Sequence, residues 1–447
     1  MSTHIDDIEL ANHAIERLKA FGADASDVLI SASASLSVSC RLSEIEDLER
    51  AESRDIGLRA FIGQSQAFVS ASGADHSMID TLAERAVAMA RNTLADPYCG
   101  LADVTRLAKK WDDLDLLDHY EPSAEELSKL ALEIEDQARS HEGITNSEGA
   151  GAGWGHGGTT LVTSHGFAGT YKTSSFSMSC AVLAGTGDKM ERDYASHSAR
   201  HFSDLDSPKD IGDRAAKRAL DRLNPRKIKS MKAPVIFDKR VSASLIGHLM
   251  GAISGSAVAR GTSFLRQNMG QMIMPKGVSI IDDPLRQRGL RSAAFDGEGL
   301  PMSLLKPIDG GMLTCWLLES ATAKQLGLES NARAGRGIGS PPGPSATNIH
   351  MEAGQRSVEE MMRDIGEGFL VTELIGMGVN GVTGDYSRGA SGFWIENGEI
   401  AYPISEVTIA DNLRDMFASL EPASDLSFRQ SVNAPSILIP KMSLAGL

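Results

Sequence analysis

The stretch Val241–Phe264, VSASLIGHLMGAISGSAVARGTSF, decides how the second half of the chain is read. From Val241 to Ala259, 19 residues pass without a formal charge when His248 is neutral, a length that permits a thin membrane span. Composition argues against one. Four serines and the glycines Gly247, Gly251 and Gly255 leave the segment weakly apolar, whereas a spanning helix is dominated by Leu, Ile, Val and Phe. The glycines fall four apart, so on a single helix over 241–259 they form one smooth ridge against which another backbone packs closely. Each costs about 1 kcal/mol relative to Ala in a helix, so tertiary contacts must hold this one together.

Around that helix the chain is long enough, at 447 residues, for two or three domains, and its 42% apolar content suffices for globular cores. A net charge of −15 opposes a nucleic-acid or anionic membrane partner, since both need a basic field. Cys40, Cys99, Cys180 and Cys315 stand singly with no CxxC pair, as suits reduced thiols, and the polar start (Ser2, Asp6, Asp7) carries no apolar leader. A cytoplasmic protein is expected.

Upstream, residues 1–96 read as a compact α+β unit. Ile8, Ala11, Ile15 and Leu18 repeat at helical spacing before Gly22; Val28 and Ile30, then Leu36, Val38 and Cys40, alternate as strands. A hairpin follows across Gly63–Gln66, then a helix over 75–92. Residues 97–122, with Asp112, Asp113, Asp115 and Asp118, read as a solvated linker lacking the glycine and terminal glutamate of a calcium loop. Residues 123–232 form a second α+β unit, opened by the capping box Ser123/Glu126 and closed by a helix over 211–223. Residues 233–447 read as a β-rich domain with embedded helices: Val235–Phe237 is a short buried strand, 358–365 a helix, and Asn397-Gly398 a hairpin turn. The fold class is therefore α+β.

Candidate chemistry is sparse. His197 and His201 have the spacing that lets two imidazoles share a metal on a helix, yet HSARH has no internal glutamate and carries Arg200. Asp282 and Asp283, with Asp296 and Glu298, are paired carboxylates fit for acid–base work or, more commonly, for capping turns. Ser387 lies outside a nucleophile-elbow frame, and no histidine follows it.

The stretches IDDP, FDGEG, NGVTGDYSRGASGFWIENGEI and the closing QSV with MSLAG resemble the PmbA/TldE branch of the TldD/PmbA family, over essentially the whole chain. The resemblance implies a cytoplasmic zinc peptidase assembled from a TldD and a PmbA (TldE) subunit, acting on flexible peptides such as microcin-type precursors and antitoxins. The TldD branch carries HExxxH ahead of a GTS-like segment. Anchoring on Gly261-Thr262-Ser263 puts Ile246 and Gly251 at the histidine positions and Gly247 at the glutamate. None has a donor atom for zinc or a base for its water. His248 stands alone in the helix, and the family's C-terminal cysteine position falls near Asp425.

The implied role is a non-catalytic subunit with no metal of its own, zinc being expected in a TldD-like partner. Whether the chain itself is an enzyme stays open. Peptide is expected on Gly384, Asp385, Tyr386, Ser387, Arg388 and Gly389, by strand addition along Gly335–Ile349 and Gly384–Gly392. Two rivals remain: a self-sufficient hydrolase using Asp193, His197 and His201 or the acids at 282–298, and a homodimeric peptide-binding or chaperone-like protein.

Overall fold

The computed structural model describes residues 6–73 and 75–446; residues 1–5, which carry part of the leader reading, lie outside the described residues. Helix α1 (Asp7–Ala20) starts where the Asp6 carboxylate accepts the Ile8 N–H, and it buries Leu10, Ala11, Ala14 and Leu18. An antiparallel meander follows, β1 (Ala25–Arg41), β2 (Glu44–Ile62) and β3 (Ser65–Ser72), covered by α2 (His76–Asn92). The expected capping box is present. Ser123 Oγ accepts the Glu126 N–H while Glu126 accepts the Ser123 N–H, opening α3 (Ala124–Arg139). Then come β4 (Ile144–Thr163), β5 (Ala168–Ala184), β6 (Glu191–Ala199) and α4 (Pro208–Asp221).

These two α+β segments share one sheet of order β3-β2-β1-β4-β5-β6, because β1 pairs with β4 from Asp27↔Thr163 to Cys40↔Ala150. Alternation along β4 explains its glycines. Ala150, Ala152 and Trp154 face the helices α3 and α4, and Gly153 faces away, where a Cβ would sit 3.2 Å from the Leu36 carbonyl oxygen. Residues 97–122 are irregular apart from one short turn of 3₁₀-helix, as expected of a linker. They are nonetheless anchored: Leu114 and Leu116 are buried, and the Ser174 N–H donates to the Leu116 carbonyl at 2.9 Å.

The remainder is β-rich with embedded helices. Its elements are β7 (Met231–Phe237), α5 (Lys239–Ala252), α6 (Gly255–Ala259), β8 (Ile280–Asp282), β9 (Leu305–Asp309), β10 (Met312–Leu313), α7 (Ser320–Leu326), β11 (Ala334–Gly335), β12 (Gly343–Pro344) and β13 (Ile349–Met351). After them come α8 (Val358–Ile365), β14 (Gly368–Ile375), β15 (Asp385–Glu396), β16 (Glu399–Asn412), α9 (Leu413–Ser419), β17 (Glu421–Pro422), β18 (Val432–Asn433) and β19 (Ile437–Ala445). Strand β7 pairs with β14 and β19, β14–β15–β16 form a meander, and β16 returns to pair with β19 at Thr408↔Ala445. The ring β7-β14-β15-β16-β19 is thereby closed. Asn397 (φ 54°) and Gly398 (φ 80°) make the tight turn between β15 and β16. A smaller sheet, β10-β9-β8-β13-β18, packs across α5 from the ring, so Leu245 and Leu249 share one core with Phe237, Phe369, Ile280 and Ile349.

The segment between β11 and β12 leaves this domain and lies on the N-terminal sheet. A Cβ at Gly57 would approach the Ile338 carbonyl oxygen to 2.0 Å, so only glycine permits that contact.

Candidate functional site

Helix α5 begins at Asp238, whose carboxylate accepts the Arg240 N–H at 2.8 Å. Its buried face is Ser242, Leu245, Ile246, Leu249 and Ala252. Gly247 and Gly251 lie on the opposite, exposed face, and a Cβ added at either meets nothing within 4 Å. The expectation of a uniformly packed glycine ridge is corrected on this point. Close packing holds only at Gly255, where a Cβ would lie 2.6 Å from Leu318 Cδ2. Nor is 241–259 one helix: Ser254 is extended, and the Gly255 N–H bonds to the Leu317 carbonyl at 2.8 Å, so α6 restarts after a break.

Ile246 points into the core, away from the two glycines, as a step of about 100° per residue requires. A zinc ion at this helix would therefore find no imidazole, thiolate or carboxylate at Ile246, Gly247 or Gly251, and these residues do not fit the metal. Asp425, the remaining family position, is spent near the N-terminal end of α5. Its oxygens accept from Ser436 N and Oγ at 2.8 and 2.9 Å, and Ser436 Oγ in turn accepts the Lys239 N–H. Among the described residues no group of three or more His, Cys, Asp or Glu is placed to hold a metal ion.

What flanks the open face is polar. The half-buried His248 ring stands at 75° to the Tyr386 ring with centroids 5.9 Å apart, and its Nε2 has no hydrogen-bond partner. Burial first, and then the Arg388 charge, holds the imidazole below its ordinary pKa. Tyr386 is 1% exposed, and its buried hydroxyl lies against the Arg388 guanidinium without a well-formed hydrogen bond; burial pushes the phenol strongly up, and the Arg388 charge and contact oppose that. Arg388 is half-buried with an unpartnered Nε. Tyr386 and Arg388 are two apart on β15 and so share a face. This grouping joins two segments 138 positions apart, His248 and Tyr386, and no local pattern signals it.

The rest of 384–389 is structural. Gly384 has φ +86° and abuts Asn412; Asp385 accepts from Thr383 Oγ1 at 2.6 Å and Asn412 Nδ2 at 3.1 Å; the Ser387 N–H donates to the Gly378 carbonyl. Strand addition along 384–392 is ruled out, because β15 is paired on both sides, Gly389 with Ile375 and with Thr408. In 335–349 the only ladder before β13 is the two-residue pair β11–β12, too short to extend by a peptide strand, and the segment is packed on the N-terminal sheet. Arg336 forms an ion pair with Asp27 of β1, and β13 is hydrogen-bonded between β8 and β18.

The histidine site of the hydrolase rival is not assembled. His197 lies on strand β6, not on a helix, and its Nδ1 is 3.3 Å from Asp206; His201 Nε2 is 3.2 Å from Asp115. Asp193 is held by Arg240 at 2.5 Å and by Arg222. The acids at 282–298 cap and brace. Asp282 bonds Arg333 and Thr347, Asp283 accepts the Leu285 N–H, Asp296 accepts the N–H groups of Glu298, Leu300 and Ala334, and Glu298 accepts from Ser320. Sequence reasoning missed a cleft of about 1270 Å³ between β6, α4, the start of α5 and the ring. Lys217, Arg218, Lys239, Arg240 and Arg429 line it together with Asp193, Asp221 and Asp238, so cations outnumber carboxylates there although Arg240 pairs with Asp193 and Lys217 with Asp221.

A closed ring carrying a helix with no donor atom at Ile246, Gly247 or Gly251, attached to a six-stranded α+β sheet, defines the class. Three models of PmbA/TldA metallopeptidase domains match in sequence: domain 1 over residues 26–90, the central domain over 118–223 and the C-terminal domain over 230–446. The chain belongs to this family, in its PmbA branch. It is 39% identical over 425 residues to "Metalloprotease PmbA" of Escherichia coli O157:H7, covering 95% of this chain and 92% of that one. With a PmbA homolog of Haemophilus influenzae it shares 37% over 440 residues, 98% of this chain and 96% of the other. Among solved structures, TldE from Thermococcus kodakarensis superposes with a TM-score of 0.87 at 21% identity, covering 97% of this chain and 99% of that chain.

Proposed function

We propose that this chain is the non-catalytic subunit of a TldD–TldE type heterodimeric zinc metallopeptidase, completing the chamber in which a TldD-like partner degrades or matures flexible peptides. One observation carries the reading: of the family's metal-site positions on α5, Ile246 is sunk in the core and Gly247 and Gly251 face open space, and none supplies a donor atom. Zinc and the base for its water then belong to the partner, and the complex works in the cytoplasm. Because β15 is paired with β14 and β16 and the β11–β12 ladder is only two residues long, peptide lies on the open face of α5, held by side chains and not by strand addition. Native mass measurement of this chain alone and mixed with a TldD-like subunit tests the assembly. A mixed dimer is expected; persistence of a homodimer in the mixture would favour the homodimeric binding protein.

A further inference from the structure

Arginines in this fold are normally answered when they lose water. Arg59 and Arg336 pair with Asp27, and Arg333 with Asp282, all with side chains under 5% exposed. Arg336 keeps two buried nitrogens unbonded but has Asp27 as its countercharge, whereas Arg388, at the open face, has a buried, unbonded Nε and no carboxylate partner among the described residues. Two further polar atoms beside it, Tyr386 Oη and His248 Nε2, are equally buried and unsatisfied. A buried polar group without a partner is costly, so three gathered in one place mark a position made for something that brings acceptors. Guanidinium and phenol both donate, and so does a neutral imidazole that carries its proton on Nε2.

We propose that His248, Tyr386 and Arg388 form a receptor for the C-terminal carboxylate of a peptide whose backbone lies over Gly247 and Gly251. Resting on the peptide-holding role above, the proposal adds which end of the peptide is read. Tyr386, fully buried, is the floor of the site; half-buried Arg388 and His248 are its mouth. The guanidinium fork matches a carboxylate and supplies its countercharge, the phenol gives a third donor, and the imidazole closes one side. The bare glycines leave room for main chain to approach α5 beside His248, which lies within one helical turn of both.

The test uses calorimetry on the full chain with an octapeptide of Gly, Ala and Ser bearing a free C-terminus, with its C-terminal amide, and with the amide containing one internal Glu. The free acid is expected to bind about ten- to a hundredfold more tightly than the amide, the range of a charge-assisted hydrogen bond. Arg388→Gln should bring the acid down to the amide's level, Arg388→Lys should restore part of the difference, and Tyr386→Phe should weaken it. Equal binding of acid and amide, or an unaffected Arg388→Gln protein, would overturn the proposal. So would the Glu-bearing amide or inorganic phosphate binding as tightly as the acid, since either shows no selection for the terminus. Ligand-induced shifts of the His248 ring resonances check that binding is local. If the mixed complex cleaves acid and amide alike while still requiring this chain, the terminal receptor fails and the peptide-holding role stands.

Discussion

Arg333 and Asp282 are both cut off from solvent and meet at 2.5 Å, and the guanidinium also donates to the Ser303 carbonyl at 2.6 Å. Replacing Arg333 by Met strands the carboxylate in the interior, and a loss of about 3–5 kcal/mol is expected in urea unfolding, with part recovered when Asp282→Asn is added. Asp296 and Glu298 behave differently. Burial, reinforced at Glu298 by the neighbouring Asp296 charge, pushes Asp296 up to about 6 and Glu298 up to about 7. The folded chain therefore keeps protons that the unfolded chain releases above its ordinary carboxylate range, and stability falls as pH rises toward about 7. Glu298→Gln, which mimics the protonated acid, should flatten that decline and gain on the order of 2 kcal/mol at pH 8, with little change at pH 4. A steeper decline in the variant would show that the ionised carboxylate is the stabilising form. At this scale the sequence identified the acids and not their duties, because capping a turn and holding a cation call for the same residue types.

Individual elements were legible wherever a local rule sets them. The Ser123/Glu126 capping box, the amphipathic helix α1 and the Asn397-Gly398 turn all form as read, each fixed by neighbours within a few positions. Helix α5 was legible only in part. Its end depends on Leu317, 65 positions downstream of Ala252, whose carbonyl takes the Gly255 N–H. The same locality explains His197 and His201: their spacing suits a helix, but His197 pairs with Met178 of β5 on a strand that ends at Ala199, and His201 lies beyond it. Exposure of Gly247 and Gly251 has a measurable consequence. Ala at either position meets no clash, so Gly247→Ala with Gly251→Ala should stabilise the isolated chain by about 1–2 kcal/mol. The same pair should weaken binding of the free-acid octapeptide if main chain runs over this face. Stabilisation with unchanged peptide affinity would move the backbone path elsewhere.

At the level of the whole molecule, long-range closure is what the sequence could not display. The pairing of β1 with β4 merges the two α+β segments into one sheet, and the return of β19 to β16 turns the C-terminal strands into a ring. Pairing of β15 with both β14 and β16 satisfies its edges, which removes the mode of peptide capture that its glycine-rich sequence invited. The open side of α5 and the cleft beside β6 are surfaces suited to a ligand. Both fit a subunit that holds substrate and leaves cleavage to a partner. The most direct test is peptide hydrolysis and zinc content of the purified chain alone, of a TldD-like subunit alone, and of their mixture. The chain alone should show neither stoichiometric zinc nor turnover, and the mixture should show both. Zinc-dependent turnover by the isolated chain would contradict the account.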